Sequence, residues 1–251
     1  MQNFQQHPSP NKPLQSHPKR RKLAACICAL ALGAITSQAQ DLLLNDTFSR
    51  SAKGTFLEQS AGLEWEAQQG RLIIGNGRPL NGQALSYAPN RTWDFQIYNR
   101  DLNATLSPEE AIEMSFSAAV KTDASPEFYI YSMRLIDKDN YVQIQVKGGA
   151  KTPTVTVEAV INGKKSQSEV EDASYYETSE GTGLVAVKLL VSEGYAQAYC
   201  DWSGENTWSS PSKPITFQLT TIDQIQLRYY AMGYWSAMDD LKVAIIKPTQ
   251  Q

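Results

Sequence analysis

The sequence predicts an all-β protein built as a two-sheet antiparallel β-sandwich. Apolar and polar residues alternate with a period of two through most of the chain after residue 40, which is the pattern of half-buried strands. Turn-forming residues separate the alternating segments, and no helix-period segment exceeds a turn or two. Many short strands divided by turns favour a sandwich or jelly roll over a fold that alternates strands with helices.

The first 39 residues differ in composition from the rest and predict a secretory signal peptide. The basic cluster Lys19–Lys22 precedes an apolar run over residues 23–35, and the small residues Ser37 and Ala39 follow it. The run is shorter than the ~20 residues that span a bilayer. We therefore expect cleavage before Gln40, a single β-sandwich domain over residues 40–250, and a bacterial protein that is secreted or periplasmic.

Removing the leader limits the chemistry that remains. Both histidines, His7 and His17, lie in the leader with Cys26 and Cys28, so Cys200 is the one cysteine left. The mature chain therefore lacks the histidine of hydrolase triads and the usual zinc ligands. It keeps 18 Lys and Arg against 26 Asp and Glu, a net charge of about −8 that disfavours nucleic acid and anionic membranes.

The predicted strands follow one another in short, regular steps. Asn162-Gly163 is the strongest hairpin signal, and Asp137–Asn140 and the pair 193–194 also predict turns. Ser107–Ile112 resembles a helix start and predicts a single turn inside a loop. The period-two segments cover residues 42–48, 71–75, 114–120, 129–135, 142–146, 155–161, 185–191, 195–202, 215–219, 225–229 and 241–245.

A strip of polar side chains is the first candidate site. If Val142, Ile144 and Val146 point into the core, the residues between them share the opposite face, and the same logic holds on two other strands. If these strands neighbour one another in the concave sheet, their planar donors and acceptors suit sugar hydroxyls, or a uronate carboxylate against the arginines. An ordinary solvated sheet face is the alternative. The strip consists of Arg134, Tyr141, Gln143, Gln145, Gln226, Arg228 and Tyr230.

Three tryptophans predict a second set of ligand contacts. Trp202 and Trp208 share one loop, and Trp235 lies in another. Exposed indoles stack on pyranose rings through their flat apolar faces, whereas a loop tryptophan in its more usual role covers the core of a sandwich.

Three aspartates suggest a structural cation. Asp239 and Asp240 lie in the last predicted strand and Asp46 in the first, so they would supply oxygen ligands for Ca²⁺ where the two strands meet. In the alternative, Asp239 and Asp240 cap a turn or pair with Lys242.

The order of elements resembles the concanavalin A-like lectin/glucanase superfamily, including its laminin-G-like bacterial sandwiches. The features are the opening Asn45–Phe48 strand, Trp65 followed by the GRLIIG segment, the hairpin FYIYSMRLIDKDNYVQIQV and the closing Met238–Val243 strand. The resemblance implies a jelly roll whose first and last strands pair.

The chain departs from the catalytic branches of that superfamily. It has no Glu-x-Asp-x-x-Glu strand, and where alginate-lyase jelly rolls carry Gln-Ile-His, the histidine position is Gln145. We therefore predict an exported, non-catalytic carbohydrate-binding or cell-surface interaction domain. One alternative is a polysaccharide-degrading enzyme that is alginate-lyase-like, with Tyr230 as base and Gln143 and Arg228 on a carboxylate, or a divergent glucanase. The other is a structural envelope protein.

Overall fold

The computed structural model describes residues 40–49, 51–60, 62–76, 83–87, 94–121, 129–148, 153–171, 182–192, 194–203, 207–231 and 237–247. These residues form strands, joined by turns and one 3₁₀ turn at Leu57–Gln59. The strands are β1 (Gln40–Asp46), β2 (Glu66–Gln69), β3 (Leu72–Asn76), β4 (Gln83–Tyr87), β5 (Gln96–Thr105), β6 (Ala111–Lys121), β7 (Tyr129–Asp137), β8 (Asn140–Gly148), β9 (Thr154–Ile161), β10 (Lys164–Glu169), β11 (Thr182–Ser192), β12 (Tyr195–Asp201), β13 (Ile215–Thr216), β14 (Thr221–Ala231) and β15 (Ala237–Ile246).

The strands form two antiparallel sheets. The eight-stranded sheet has the order β13-β12-β11-β6-β15-β4-β3, and β1 also pairs with β15. The seven-stranded sheet has the order β10-β9-β8-β7-β14-β5-β2. The prediction of an all-β, two-sheet antiparallel sandwich is therefore confirmed, and so is the pairing of the opening and closing strands, which runs from Gln40 opposite Ile246 to Asp46 opposite Leu241.

The predicted hairpin turns lie where the turn chemistry places them. Asn162 and Gly163 have φ values of 50° and 75°, and two successive left-handed residues give the turn whose twist matches that of the flanking strands. Lys138 (φ 52°) turns the β7–β8 hairpin, and Gly194 (φ 81°) turns β11 into β12. The Ser107–Ile112 segment makes a hydrogen-bonded turn before β6, in which the Glu110 amide donates to the Ser107 carbonyl at 3.1 Å.

The inward residues of both sheets form one apolar core. Alternate residues of β7, β8 and β14 are fully buried there, as the period of two predicts. Cys200 is buried and is not part of a disulfide among the described residues, which agrees with an inert packed thiol. Trp202 also belongs to the core and is only 6% exposed, so this indole covers the sandwich interior.

Four strands were not predicted from the sequence. β2, β4, β5 and β10 are polar or short, and β5 carries Asn99, Arg100 and Asp101 in succession, so they lack a clear apolar alternation. The predicted strand over residues 215–219 is shorter than expected, since only Ile215–Thr216 pairs with β12. The next residues remain in the core, because Phe217 and Leu219 are both buried.

A buried polar contact joins the two sheets near their edge. Asp46 on β1 accepts a hydrogen bond from the Trp65 indole nitrogen at 2.7 Å, and Arg100 on β5 approaches the same oxygen at 3.4 Å. Arg100 also donates to the Leu63 carbonyl at 3.0 Å. Burial raises the pKa of Asp46, while Trp65 and Arg100 act against that rise.

Two predictions fall on residues that are not described. The leader, residues 1–39, lies outside the described ranges, and so does Trp235. In the part of the chain that is described, no helix has the length and apolar character needed to cross a membrane.

Candidate functional site

The candidate site lies on the outward face of the seven-stranded sheet, where β9, β8, β7, β14 and β5 are consecutive. In the register of these five strands, one polar residue of each strand lies directly opposite a polar residue of the next strand. All five of these residues point to the same side of the sheet. The predicted strands of the strip are therefore neighbours. We call the set the polar row; its members are Glu158, Gln143, Arg134, Gln226 and Asn99.

Hydrogen bonds connect four members of the polar row in a chain. Arg134 Nε donates to Gln143 Oε1 at 2.5 Å, and Arg134 Nη1 donates to Gln226 Oε1 at 3.2 Å. Gln226 Nε2 then donates to Asn99 Oδ1 at 3.1 Å. Each amide is thereby oriented, so the row presents a fixed pattern of donors and acceptors.

Tyr141 fixes the other end of the row. Its hydroxyl donates to Glu158 Oε1 at 2.7 Å, and Lys165 pairs with Glu158 Oε2 at 2.5 Å. The Arg134 guanidinium lies 4.1 Å from the centre of the Tyr141 ring, a cation–π contact. Burial, followed by the hydrogen bond to Glu158, raises the pKa of Tyr141, so the phenol stays protonated as a donor.

Three members of the polar row are buried although the row faces away from the core, while Arg134 and Gln226 are partly exposed. Gln143 is 2% exposed, Asn99 5% and Glu158 8%. Long side chains on an ordinary solvated face keep their rotamer freedom and their exposure, whereas these side chains pack on one another. The face is therefore pre-ordered, which lowers the entropy that binding a ligand would cost.

Aromatic rings lie beside the row. Phe95, just before β5, and Tyr230 on β14 have ring centres 5.2 Å apart, and the Arg228 guanidinium lies 4.7 Å from the centre of Phe95. All three side chains are partly exposed. We call Phe95 and Tyr230 the aromatic corner; it supplies flat apolar surface next to a cation.

Arg228 and Ser132 have polar atoms without a described partner. Register places Ser132 between Arg228 and Gln145, on the same outward face. Ser132 is 1% exposed, and its Oγ is buried without a hydrogen-bond partner among the described residues. The same holds for Arg228 Nε. Buried donors left unpaired in this way are uncommon in folded proteins.

The two predicted tryptophans that the structure describes do not join this face. Trp202 lies in the core, as described above. Trp208 is half-buried, and the ammonium of Lys188 on β11 lies 4.3 Å from the centre of its ring, so this contact belongs to the eight-stranded sheet.

The three predicted calcium ligands do not form one metal-binding group. Asp46 already accepts hydrogen bonds from Trp65 and Arg100. Asp239 and Asp240 lie at a bulge of β15, where Asp239 Oδ1 accepts from the Asp240 amide at 2.8 Å. Among the described residues, no three or more carboxylate, histidine or cysteine groups are placed to hold a cation together.

Sequence reasoning missed four residues of the site: Asn99, Ser132, Glu158 and Phe95. Glu158 stands between the inward Val157 and Ala159, so the alternation already indicated its outward face. Asn99 and Phe95 belong to a segment whose strand was not predicted.

The two antiparallel sheets, with the opening and closing strands paired, define this chain as a jelly-roll β-sandwich domain. No family model and no curated protein matches its sequence. Among solved structures, it is similar to the CBM2 module of the evolved Dit protein of Lactobacillus casei BL23 phage J-1, at 9% identity and a TM-score of 0.54 over 86% of this chain and 100% of that one. It is also similar to the Ca²⁺-bound exoplasmic/lumenal domain of VIP36, at 11% identity and a TM-score of 0.50 over 84% and 91% of the two chains. The likeness is one of fold.

Proposed function

We propose that this domain binds carbohydrate, without catalysis, on the outward face of its seven-stranded sheet. The observation that carries the proposal is the chain of hydrogen bonds along the polar row, in which Arg134, Gln143, Gln226 and Asn99 are held in fixed orientations. A sugar ring presents several hydroxyls at fixed angles, and oriented amides and guanidinium groups match such a pattern. The aromatic corner adds a surface on which the apolar face of a pyranose packs.

Two further points support a binding role. The name of the phage module that shares this fold, CBM2, agrees with a carbohydrate ligand. Glu158, the carboxylate of the polar row, is already bound by Tyr141 and Lys165, so it is poorly placed to act as an acid or a base.

A glycan array with the purified protein tests the proposal. Gln226 donates to Asn99 and accepts from Arg134, so Gln226→Ala is expected to weaken binding roughly tenfold by breaking the row at its centre. The matched control is Gln218→Ala, which removes an exposed glutamine outside the row. Absence of binding across plant, algal and bacterial glycans would reject the proposal. Release of reducing sugar or of unsaturated uronates from a bound polysaccharide would reject the non-catalytic part.

Export is part of the same proposal and rests on the leader. Expression in a bacterial host followed by N-terminal sequencing of the exported protein is expected to find Gln40 as the first residue. An uncleaved cytoplasmic product would contradict it.

Calcium binding stays a prediction from the sequence. A cation bound only by the folded state raises its stability, so EDTA would lower the melting temperature of a calcium-loaded protein. An unchanged transition with and without Ca²⁺ would count against the prediction.

A further inference from the structure

We propose that the glycan bound on this face is acidic, and that Arg228 and Ser132 bind a carboxylate of a uronic acid beside the positive charge of Arg134. This inference rests on the proposed function and names the class of its ligand.

The two arginines carry like charges on one face, and neither forms an ion pair with a described residue. Arg228 lies opposite Ser132, two residues before Arg134 on β7, so the two arginines are diagonal neighbours in the register of one face. Like charges at this spacing repel, and an anion between them removes the repulsion.

The charge of the face stands out against the rest of the domain. Residues 40–251 carry a net charge of about −8, which disfavours the approach of any polyanion. A local pair of arginines, one of them resting on Phe95, provides the attraction that an acidic ligand needs.

The unpaired atoms show where the anion would bind. Ser132 Oγ is a donor at the floor of the face, and Arg228 Nε is a second donor beside it, both buried and without described partners. A carboxylate has two acceptor oxygens, so one group satisfies both donors once the partly exposed Arg228 side chain moves aside to admit it. The aromatic corner then lies where the sugar ring that carries the carboxylate would pack.

Affinity electrophoresis and calorimetry with matched polysaccharides test this inference. The probes are polygalacturonate and alginate, their carboxyl-reduced neutral forms, and dextran sulfate as a polyanion without carboxylates. We expect the two polyuronates to bind at least tenfold more tightly than their reduced forms, and to bind less tightly as salt is added.

Substitutions distinguish binding at this site from a general attraction between opposite charges. Arg228→Ala is expected to weaken polyuronate binding tenfold or more, and Arg228→Lys to keep the charge but lose most of the affinity, because an ammonium lacks the planar fork. Ser132→Ala is expected to weaken binding without lowering the melting temperature, since the lost hydroxyl has no described partner in the free protein. Lys213→Ala, which removes an exposed cation paired with Glu171, is the charge-matched control and should bind normally.

The outcomes distinguish this inference from the proposed function. Equal binding of the acidic and reduced forms would overturn the inference and leave carbohydrate binding intact. Equal binding of dextran sulfate would also overturn it, because the site would then read charge alone. Binding of none of the polysaccharides here and of no glycan on the array would overturn both.

Discussion

We predict that the carboxyl group of Asp239 makes the stability of this domain depend on pH. Asp239 is 7% exposed, at the bulge of β15, and its Oδ1 accepts the Asp240 amide at 2.8 Å. Burial raises its pKa from 3.8 to about 7, with the backbone hydrogen bond acting against the rise and the charge of Asp240 adding to it. The folded state therefore holds this proton more tightly than the unfolded chain does.

The size and sign of the pH effect follow from the difference in proton affinity of Asp239 between the folded and unfolded states. Stability from this group is fully present below pH 3.8 and is lost as the pH rises through about 7. At about 1.4 kcal/mol for each tenfold change in proton affinity, the full loss is roughly 4 kcal/mol. Asp239→Asn keeps the acceptor for the Asp240 amide but cannot ionise, so the variant should not show this loss.

Urea denaturation at about pH 4 and about pH 8 measures the difference. The free energy of unfolding of Asp239→Asn, minus that of the parent protein, is expected to rise by roughly 4 kcal/mol between the two conditions. Asp240→Asn, at an exposed neighbour, serves as the control and should show a much smaller change. If Asp239→Asn and the parent protein have the same pH dependence, the raised pKa is refuted.

Three further substitutions test the packing. Gly148→Ala should cost about 1–3 kcal/mol in thermal melts, because a β-carbon there would overlap the Tyr129 ring; an unchanged melting temperature would contradict that contact. Gly163→Ala should cost about 1 kcal/mol from its φ of 75° alone, since no atom lies within 4 Å of the added carbon, and a gain in stability would contradict the turn geometry. Trp65→Phe should cost about 1–3 kcal/mol by leaving Asp46 without its indole donor, and the cost should shrink in an Asp46→Asn background, where an equal cost would argue against the hydrogen bond.

The sequence predicted the parts of the fold that obey local rules. Strands with clear alternation, such as β7 and β8, and turns with obligatory chemistry, such as Asn162-Gly163, were all correct. β5 escaped prediction because its polar residues are held by partners far along the chain, as when Gln226 binds Asn99. Contacts with neighbouring strands decide that such a segment forms a strand. The alternation of apolar and polar residues within one segment does not contain that information.

The candidate site was predicted only in part for the same reason. The alternation of residues indicated four side chains that point away from the core, namely Arg134, Gln143, Gln226 and Arg228. The strand order in the structure places these residues on neighbouring strands. The burial of the face and the unpaired Ser132 depend on side-chain packing between strands, which no spacing along the chain contains.

The polar edge strand β10 limits how another protein chain can contact this side of the sheet. Its residues are mostly exposed and begin with Lys164 and Lys165, and the second of these lysines reaches back to Glu158 at the end of the polar row. Charged lysines on an edge strand oppose the addition of a further strand from another chain. That margin of the sheet is thereby protected against sheet-to-sheet aggregation, and a partner arriving from this side meets side chains and not an open backbone.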